Sequence, residues 1–328
     1  MVSHAHTHSH PHPQLAAVAA LLSDSGLAPA NPLIDPLPVA REQARRYNAF
    51  WNRRLPPIER VVEVSAPTPR GPVALRVFHP GPRGRAVPVL VYFHGGGFVL
   101  NGVDTHDRLM RLLALRAGIA VVGVSYSLAP ETRFPGQLEE AVAVIGWLRA
   151  HGPAIGLNAD RLAVGGDSAG ANLALAATLA LRDRGLAQPE FGLLLYGMFS
   201  ADLQSASHTA FGGGGFGLTT ERVDWFWNQY LADPAQRDNP LAAPMAADLR
   251  GLPPQLVIGA GLDCLLDDSV RLAGRLVEAG VAATLSVVRG VPHSFMLMSE
   301  HLEPADQAVS EAAQALRRHL TDRGPIVT

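Results

Sequence analysis

Short runs of apolar residues recur along the chain at lengths typical of β-strands. The central runs are almost wholly apolar, as expected of parallel strands that helices cover on both faces. The first two runs alternate more clearly and are joined by a Pro/Gly turn at residues 67–72, which predicts an edge hairpin. The predicted strands are Glu59–Ser65, Val73–His79, Val87–Phe93, Ile119–Ser125, Arg161–Gly166, Phe191–Tyr196, Gln255–Ala260 and Ala283–Arg289.

Stretches of helical length lie between the later strands, and most of them end at a glycine. Glycine is common just past a helix end because it adopts the left-handed conformation at little cost. Strand and helix alternate, so the pattern predicts an α/β fold with a mostly parallel, doubly wound, eight-stranded sheet flanked by helices. The predicted helices are Asp104–Ala117, Gly136–His151, Ser168–Arg184, Asp267–Ala279 and Pro304–Asp322.

Two segments break this alternation. Residues 13–58 are helix-prone and interrupted by prolines, and residues 197–252 separate two strands by far more than a normal crossover. Because long excursions inside a compact domain are usually functional, we predict that both form a helical cap over one end of the sheet. The α/β core then comprises residues 59–196 and 253–328. Residues 1–12 carry five alternating histidines and are predicted to be a disordered tail outside the fold.

Composition narrows the range of functions. Hydrophobic residues make up 48% of the 328 positions and charged residues 17%, which predicts a large buried core. The net charge of −2 gives no reason to expect a nucleic-acid partner. All 27 basic residues are arginine, so Schiff-base and phosphate-loop lysines are excluded.

Apolar runs are too short to span a bilayer and the N-terminus lacks the basic residues of a secretory signal, so we expect a cytoplasmic protein with no membrane partner.

The strongest chemical signal is Gly166-Asp167-Ser168-Ala169-Gly170, which fits the pattern G-x-S-x-G. It lies where a predicted apolar strand ends and a helix begins at once, which is the setting of a nucleophile elbow. Such a turn is so sharp that small residues must flank the serine. An N-capping serine would be the ordinary alternative. The strand-turn-helix setting instead favours Ser168 as a catalytic nucleophile beside the positive end of a helix dipole.

A second motif, His94-Gly95-Gly96-Gly97, directly follows the predicted strand Val87–Phe93. Its glycines allow the backbone to approach a substrate and to direct N–H groups toward one point. It resembles the HGGG loop that supplies oxyanion-hole amides, and the amide of Ala169 would complete the hole. We expect a structural role for His94 itself.

A serine nucleophile at an elbow needs an acid and a base, which follow it along the chain in that order. Among His293, His301 and His319, only His293 lies in a loop directly after a predicted strand, at the sheet end where ligands bind. For the acid, Asp263 follows the strand Gln255–Ala260 at the same end. The competing carboxylates, Asp267 and Asp268, are expected to cap the following helix. The sequence thus predicts Ser168, Asp263 and His293 as catalytic.

These motifs together resemble the hormone-sensitive-lipase-like group of α/β-hydrolases, the bacterial family IV carboxylesterases. The resemblance covers about residues 55 to 320 and rests on five motifs that agree in order and spacing: His94–Gly97, Tyr126–Glu131, Gly166–Gly170, Asp263–Leu265 and His293–Phe295. The inserted segment looks most like that of the bacterial acetyl esterases. Two positions depart from the family pattern, namely Ser127, where arginine is usual, and Cys264, where proline is common.

The resemblance implies an α/β-hydrolase fold, with Ser168 as nucleophile, His293 as base and Asp263 as its orienting acid. It implies oxyanion amides from Gly96, Gly97 and Ala169, and a homodimer as a common assembly in the family. The chemistry would be hydrolysis of short-chain acyl esters through an acyl-enzyme, with no metal and no cofactor. An amidase or deacetylase with the same three residues remains an alternative. A small-molecule receptor on this fold is a weaker one, because such receptors lack the catalytic histidine that is present here as His293.

Overall fold

The computed structural model describes residues 10–82, 84 and 86–321. Eight strands form one sheet in the order β1-β2-β4-β3-β5-β6-β7-β8. All eight predicted strands are present, with ends that differ by a few residues. They are β1 (Arg60–Thr68), β2 (Gly71–His79), β3 (Val87–Phe93), β4 (Ala120–Val124), β5 (Leu157–Asp167), β6 (Phe191–Leu195), β7 (Gln255–Leu262) and β8 (Ala283–Pro292).

The sheet is parallel from β4 to β8 and antiparallel at one edge. β1 pairs with β2 as a hairpin whose register runs from Arg60 opposite His79 to Thr68 opposite Gly71. β2 in turn pairs antiparallel with β4. This confirms the predicted edge hairpin, and it explains the alternating sequence of β1, because one face of that strand meets solvent.

Helices cover both faces of the sheet. They are α1 (Gln14–Asp24), α2 (Leu37–Trp51), α3 (Asp107–Ala117), α4 (Gly136–His151), α5 (Ala169–Asp183), α6 (Ala206–Phe211), α7 (Thr220–Tyr230), α8 (Leu266–Glu278) and α9 (Glu303–Leu320). Alternate residues of β3 face opposite layers: Leu90 packs in the cluster of α3 and α9, whereas Val91 packs in the cluster of α4, α5 and α8. The predicted helices are present with similar bounds. The last predicted helical position, residue 322, lies outside the described residues.

The two segments that break the alternation contain helices at one end of the sheet. Residues 13–58 contain α1 and α2, and residues 197–252 contain α6 and α7. A small apolar cluster joins α2 to α7 across the loop after β3, through Ala44, Leu100 and Phe226. This cluster places both segments above the carboxyl ends of the central strands.

The chain before α1 runs along the end of β8, where the N–H of His12 donates to the carbonyl of Gly290 at 2.8 Å. The prediction of a disordered tail over residues 1–12 is therefore wrong for His12, and residues 1–9 lie outside the described residues. None of the described helices is both long enough and apolar enough to cross a membrane.

Candidate active site

Ser168 lies in the one-residue turn between β5, which ends at Asp167, and α5, which begins at Ala169. Its backbone has φ +56° and ψ −120°, a conformation that costs a non-glycine residue about 1–3 kcal/mol. The turn is closed by glycine on both sides. A Cβ atom on Gly166 or on Gly170 would overlap the carbonyl oxygen of Phe93. This geometry lifts the Ser168 side chain above the sheet and explains why small residues flank it.

Ser168, His293 and Asp263 form a hydrogen-bonded chain. His293 Nε2 lies 3.0 Å from Ser168 Oγ, and His293 Nδ1 lies 2.6 Å from Asp263 Oδ2. The Asp263 carboxylate is fully buried and the His293 ring is one-tenth exposed. The structure therefore brings together the three residues that the sequence predicted as catalytic, from the ends of β5, β7 and β8.

Two neighbouring groups fix the orientation of the Asp263 and His293 side chains. The second Asp263 oxygen, Oδ1, accepts the N–H of Leu265 at 3.0 Å, which holds the carboxylate in place. The ring of Tyr196 meets the ring of His293 edge to face with centroids 5.2 Å apart. The imidazole is thus restrained by one carboxylate and one aromatic ring, while its Nε2 remains directed at Ser168.

The carboxylates that competed with Asp263 have other partners. Asp268 Oδ2 accepts the N–H groups of Phe199 and Ser200 at 2.7 and 2.8 Å, and Asp267 Oδ2 accepts the N–H of Ser207 at 2.9 Å. Neither occupies the N-cap position of α8, which is Leu265, and both lie in the first turn of that helix. The expected capping role was therefore wrong, and both carboxylates instead tie residues 197–252 to the core. Burial outweighs the two backbone hydrogen bonds and raises the pKa of Asp268 to about 7.

His301 and His319, the other candidates for the base, contact aromatic rings and have no hydrogen bond to Ser168 among the described residues. His319 stacks on Phe191 with ring centroids 4.3 Å apart, and His301 lies near the rings of Phe50 and Trp51.

The glycine loop after β3 borders Ser168. Gly96 and Gly97 have φ of +119° and +62°, and a Cβ atom at either would overlap neighbouring atoms, at Gly97 the ring of Phe226. Within the described residues, the backbone N–H groups of Gly96, Gly97 and Ala169 donate to no acceptor. Gly96 and Gly97 line the same cavity as Ser168. Donors left open beside a serine hydroxyl are the feature required of an oxyanion hole.

A buried polar cluster, which the sequence pattern does not reveal, holds this loop against the elbow. Asp167 Oδ1 accepts the N–H of Gly95 at 2.9 Å and the hydroxyl of Tyr92 at 2.8 Å. Its Oδ2 lies 3.2 Å from Nε2 of His106. Burial raises the pKa of Asp167, but the charge and hydrogen bond of His106 and the hydrogen bond of Tyr92 outweigh it and hold the pKa below its usual value. Asp167, the residue before Ser168, is therefore hydrogen-bonded to the glycine loop.

His94 has the structural position expected for it. Its ring stacks on Tyr126 with centroids 4.3 Å apart, and the Tyr126 hydroxyl donates to the His94 carbonyl at 2.7 Å. Burial and the nearby His106 lower the pKa of His94 to about 4. The ring therefore stays neutral near pH 7 and supports the loop from below.

The two departures from the family pattern leave the side chains of Ser168, Asp263 and His293 untouched. Where an arginine is usual, Ser127 donates through both its N–H and its hydroxyl to the carboxylate of Glu140. The carboxylate is therefore satisfied by a neutral residue. Cys264 is buried beside Asp263, and burial raises the pKa of its thiol far above the usual range, so it remains protonated.

Two cavities meet at His293. The smaller, of about 140 Å³, is lined by Ser168, Gly96, Gly97 and Phe226. The larger, of about 550 Å³, lies beyond His293 and has aromatic walls from Tyr47, Trp51 and Phe216. Both are lined by Asn48, Leu218, Arg222, His293, Ser294 and Leu297, among others. Among the described residues, no group of three or more His, Cys, Asp or Glu side chains could hold a metal ion.

Comparison with known proteins places this chain in a family. Residues 90–297 match a family described as having the alpha/beta hydrolase fold. An acetyl esterase of Salmonella schwarzengrund is 37% identical over 280 residues, which cover 83% of this chain and 85% of that protein. A hyperthermophilic esterase from the archaeon Pyrobaculum calidifontis has a TM-score of 0.88 at 34% identity, covering 94% of this chain and 98% of that one.

A thermostable esterase from Pseudomonas putida is similar as well, with a TM-score of 0.89 at 31% identity over 97% of this chain and all of that chain. The fold and the site thus define an α/β-hydrolase. Within that class the chain belongs to the hormone-sensitive-lipase-like family and is a carboxylesterase. The resemblance stated from the motifs is confirmed.

Proposed function

We propose that this carboxylesterase cleaves short-chain acyl esters with Ser168 as nucleophile, His293 as general base and acid, and Asp263 as the residue that orients His293. The observation that carries the proposal is the chain of contacts from Asp263 Oδ2 through both His293 nitrogens to Ser168 Oγ, at 2.6 and 3.0 Å. Both distances are within the hydrogen-bond reach that proton transfer requires.

In the first half-reaction Ser168 Oγ attacks the ester carbonyl carbon while His293 Nε2 takes its proton. The carbonyl oxygen becomes an oxyanion, which the open N–H groups of Gly96, Gly97 and Ala169 stabilise. Asp263 accepts the Nδ1–H of His293, so that Nε2 carries the lone pair and the imidazolium gains a charge partner. The carbon–oxygen bond of the leaving alcohol then breaks, and His293 donates its proton to that oxygen.

In the second half-reaction a water molecule replaces the alcohol. His293 takes one proton from the water, whose oxygen attacks the acyl carbon of the Ser168 ester. The same amides bind the second oxyanion, and the proton returns to Ser168 Oγ as the acid is released. One ester and one water thus give one acid and one alcohol. Every proton transfer uses His293, so no metal or cofactor has a role in this sequence.

The small cavity supports a preference for short acyl groups. Its volume of about 140 Å³ lies beside Ser168 and the glycine loop, where the acyl group must sit. Phe226 of α7 packs against Gly97 and limits the depth of this cavity. We therefore propose that residues 13–58 and 197–252 act as the cap that sets acyl length. An amidase would use the same three residues, but no feature of the cavities favours an amide.

Active-site labelling tests the nucleophile directly. Phenylmethylsulfonyl fluoride should attach to Ser168 with one label per chain and abolish hydrolysis of 4-nitrophenyl acetate in proportion to labelling. Peptide mass spectrometry identifies the labelled residue, and Ser168→Ala should take up no label. A label on another serine, with Ser168 unmodified, would overturn the assignment.

A further inference from the structure

Arg222 is a cation that lines the cavity of Ser168 and has no counter-charge among the described residues. It lies in the first turns of α7 and lines both cavities that meet at His293. Its backbone N–H is satisfied by the side chain of Thr219, at 3.1 Å. Within the described residues its guanidinium makes no ion pair and donates no hydrogen bond, and its Nε is buried without a partner.

Other arginines with a buried, unpartnered Nε differ from Arg222 in one respect. Each of them still donates through a terminal nitrogen to a backbone carbonyl, and these are Arg60, Arg108 and Arg149. Arg222 lacks even that contact in the part of the chain that the structure describes. Burial lowers the pKa of its guanidinium. A Cys264 thiolate would oppose that shift, but burial raises the pKa of this thiol and keeps it neutral.

A partly buried cation whose Nε is left without a partner is costly, and a site that retains one gains from an anion that binds there. The planar guanidinium fork matches a carboxylate with two parallel hydrogen bonds. Among the described residues that line the two cavities, Arg222 is the one arginine. A single guanidinium balances the one negative charge of a carboxylate better than the charge of about −1.5 to −2 on a phosphate monoester.

The cavities indicate which part of the ester carries that charge. The smaller cavity contains Ser168 and the glycine loop and takes the acyl group. His293 must protonate the leaving oxygen, so the alcohol lies on the His293 side, in the cavity of about 550 Å³ that Arg222 also lines. Resting on the function proposed above, we infer that the preferred substrates are short-chain O-acyl esters of hydroxy acids, whose carboxylate Arg222 binds.

The first test compares matched esters that differ only in charge. The pairs are 2-acetoxypropanoate with 2-acetoxypropanamide and 4-acetoxybenzoate with 4-acetoxybenzamide. The readout is the ratio of kcat/KM for acid over amide within a pair, in wild type and in Arg222→Gln. We expect Arg222→Gln to lower this ratio by about tenfold to a hundredfold in at least one pair, the range of a hydrogen bond to a charged group. Arg222→Lys should restore part of it.

Arg237→Gln is the matched control. It removes the same charge from the same segment, but Arg237 is bonded to Asp224 at 2.7 Å and lines neither cavity. Its acid-to-amide ratio should equal that of wild type. Equal loss on acid and amide in Arg222→Gln, in both pairs, would mean that Arg222 serves only the packing of α7, and the inference would be overturned. So would an equal fall of the ratio in Arg237→Gln.

A binding measurement separates this inference from the proposed mechanism. Calorimetric titration of Ser168→Ala with 4-acetoxybenzoate and its amide should show tighter binding of the acid. The double variant Ser168→Ala/Arg222→Gln should lose that difference. Equal binding of acid and amide by Ser168→Ala, together with unchanged ratios in Arg222→Gln, overturns the role of Arg222. Turnover by Ser168→Ala would instead overturn the nucleophile, whatever Arg222 binds.

Discussion

Asp263 and His293 are joined by a hydrogen bond of 2.6 Å between Oδ2 and Nδ1, whereas Asp267, four residues further on, accepts a backbone N–H from Ser207. Asp263→Asn removes the charge partner and the tautomer control of His293. We expect kcat for 4-nitrophenyl acetate to fall by about 10³–10⁴. Circular dichroism and thermal unfolding check that the variant is folded.

Asp267→Asn is the control for that change, because it alters a nearby buried carboxylate that does not contact His293. It should keep most of the wild-type turnover. If Asp267→Asn were folded and inactive while Asp263→Asn kept its turnover, the acid would have been assigned to the wrong residue.

Gly97→Ala tests the glycine loop. The added methyl group would overlap the ring of Phe226 and sit on a backbone with φ +62°. The loop must therefore shift, and its N–H groups no longer point at the oxyanion. We expect kcat to fall by about 10²–10³, the usual effect of losing one oxyanion donor. Gly274→Ala provides a matched glycine change in α8, where an added Cβ meets open space. It should leave kcat unchanged and should not lower the unfolding temperature.

Phe226→Ala tests the limit on acyl length. Removing the ring deepens the cavity beside Gly97, so longer acyl chains gain apolar contact. We expect wild type to hydrolyse 4-nitrophenyl acetate and butyrate faster than the octanoate and palmitate. Phe226→Ala should move the optimum toward hexanoate and octanoate. A wild-type maximum on palmitate, or an unchanged profile in Phe226→Ala, would contradict the proposed acyl site.

The raised pKa of Asp268 predicts a specific pH dependence of the free energy of unfolding. Its pKa is raised from 3.8 to about 7, so between these values the folded protein holds a proton that the unfolded chain releases. Stability from this group therefore falls as pH rises through that window, by up to about 1.4 kcal/mol per pH unit. Asp268→Asn removes the titration. Urea unfolding from pH 4 to 8 should show the variant gaining stability relative to wild type as pH rises. Parallel curves would show that Asp268 is ionised throughout.

The sequence predicted the sheet well because each buried strand is a short apolar run bounded by turns. The residues proposed to react could also be predicted, since the sharp turn at Ser168 demands a G-x-S-x-G pattern, and His293 and Asp263 follow predicted strand ends. The roles of Asp267 and Asp268 could not be predicted. A carboxylate at a helix start has the same sequence signature whether it caps that helix or accepts a backbone N–H from a distant segment. The partners of both lie at residues 199–207, more than fifty positions earlier.

The Asp167 cluster was missed for a related reason. Tyr92 occupies an apolar run and His106 a short helical turn, so neither stands out in the sequence. Only the pairing of β3 with β5 brings Tyr92 beside Asp167. Arg222 was likewise ordinary as one of many arginines in a chain without lysine. What distinguishes it is that its guanidinium has no partner in the part of the chain that the structure describes, which depends on how α7 lies over the core.

The atoms proposed to react and the cavity walls come from different parts of the chain. Ser168, His293 and Asp263 stand at the ends of sheet strands, whereas much of the wall comes from residues 13–58 and 197–252, which contribute no strand. Mutations that reshape the walls therefore leave the spacing of the reacting atoms intact. Substrate choice can diverge quickly among descendants of such a chain while the bond-breaking step stays the same, and directed evolution for new esters should begin in those two segments.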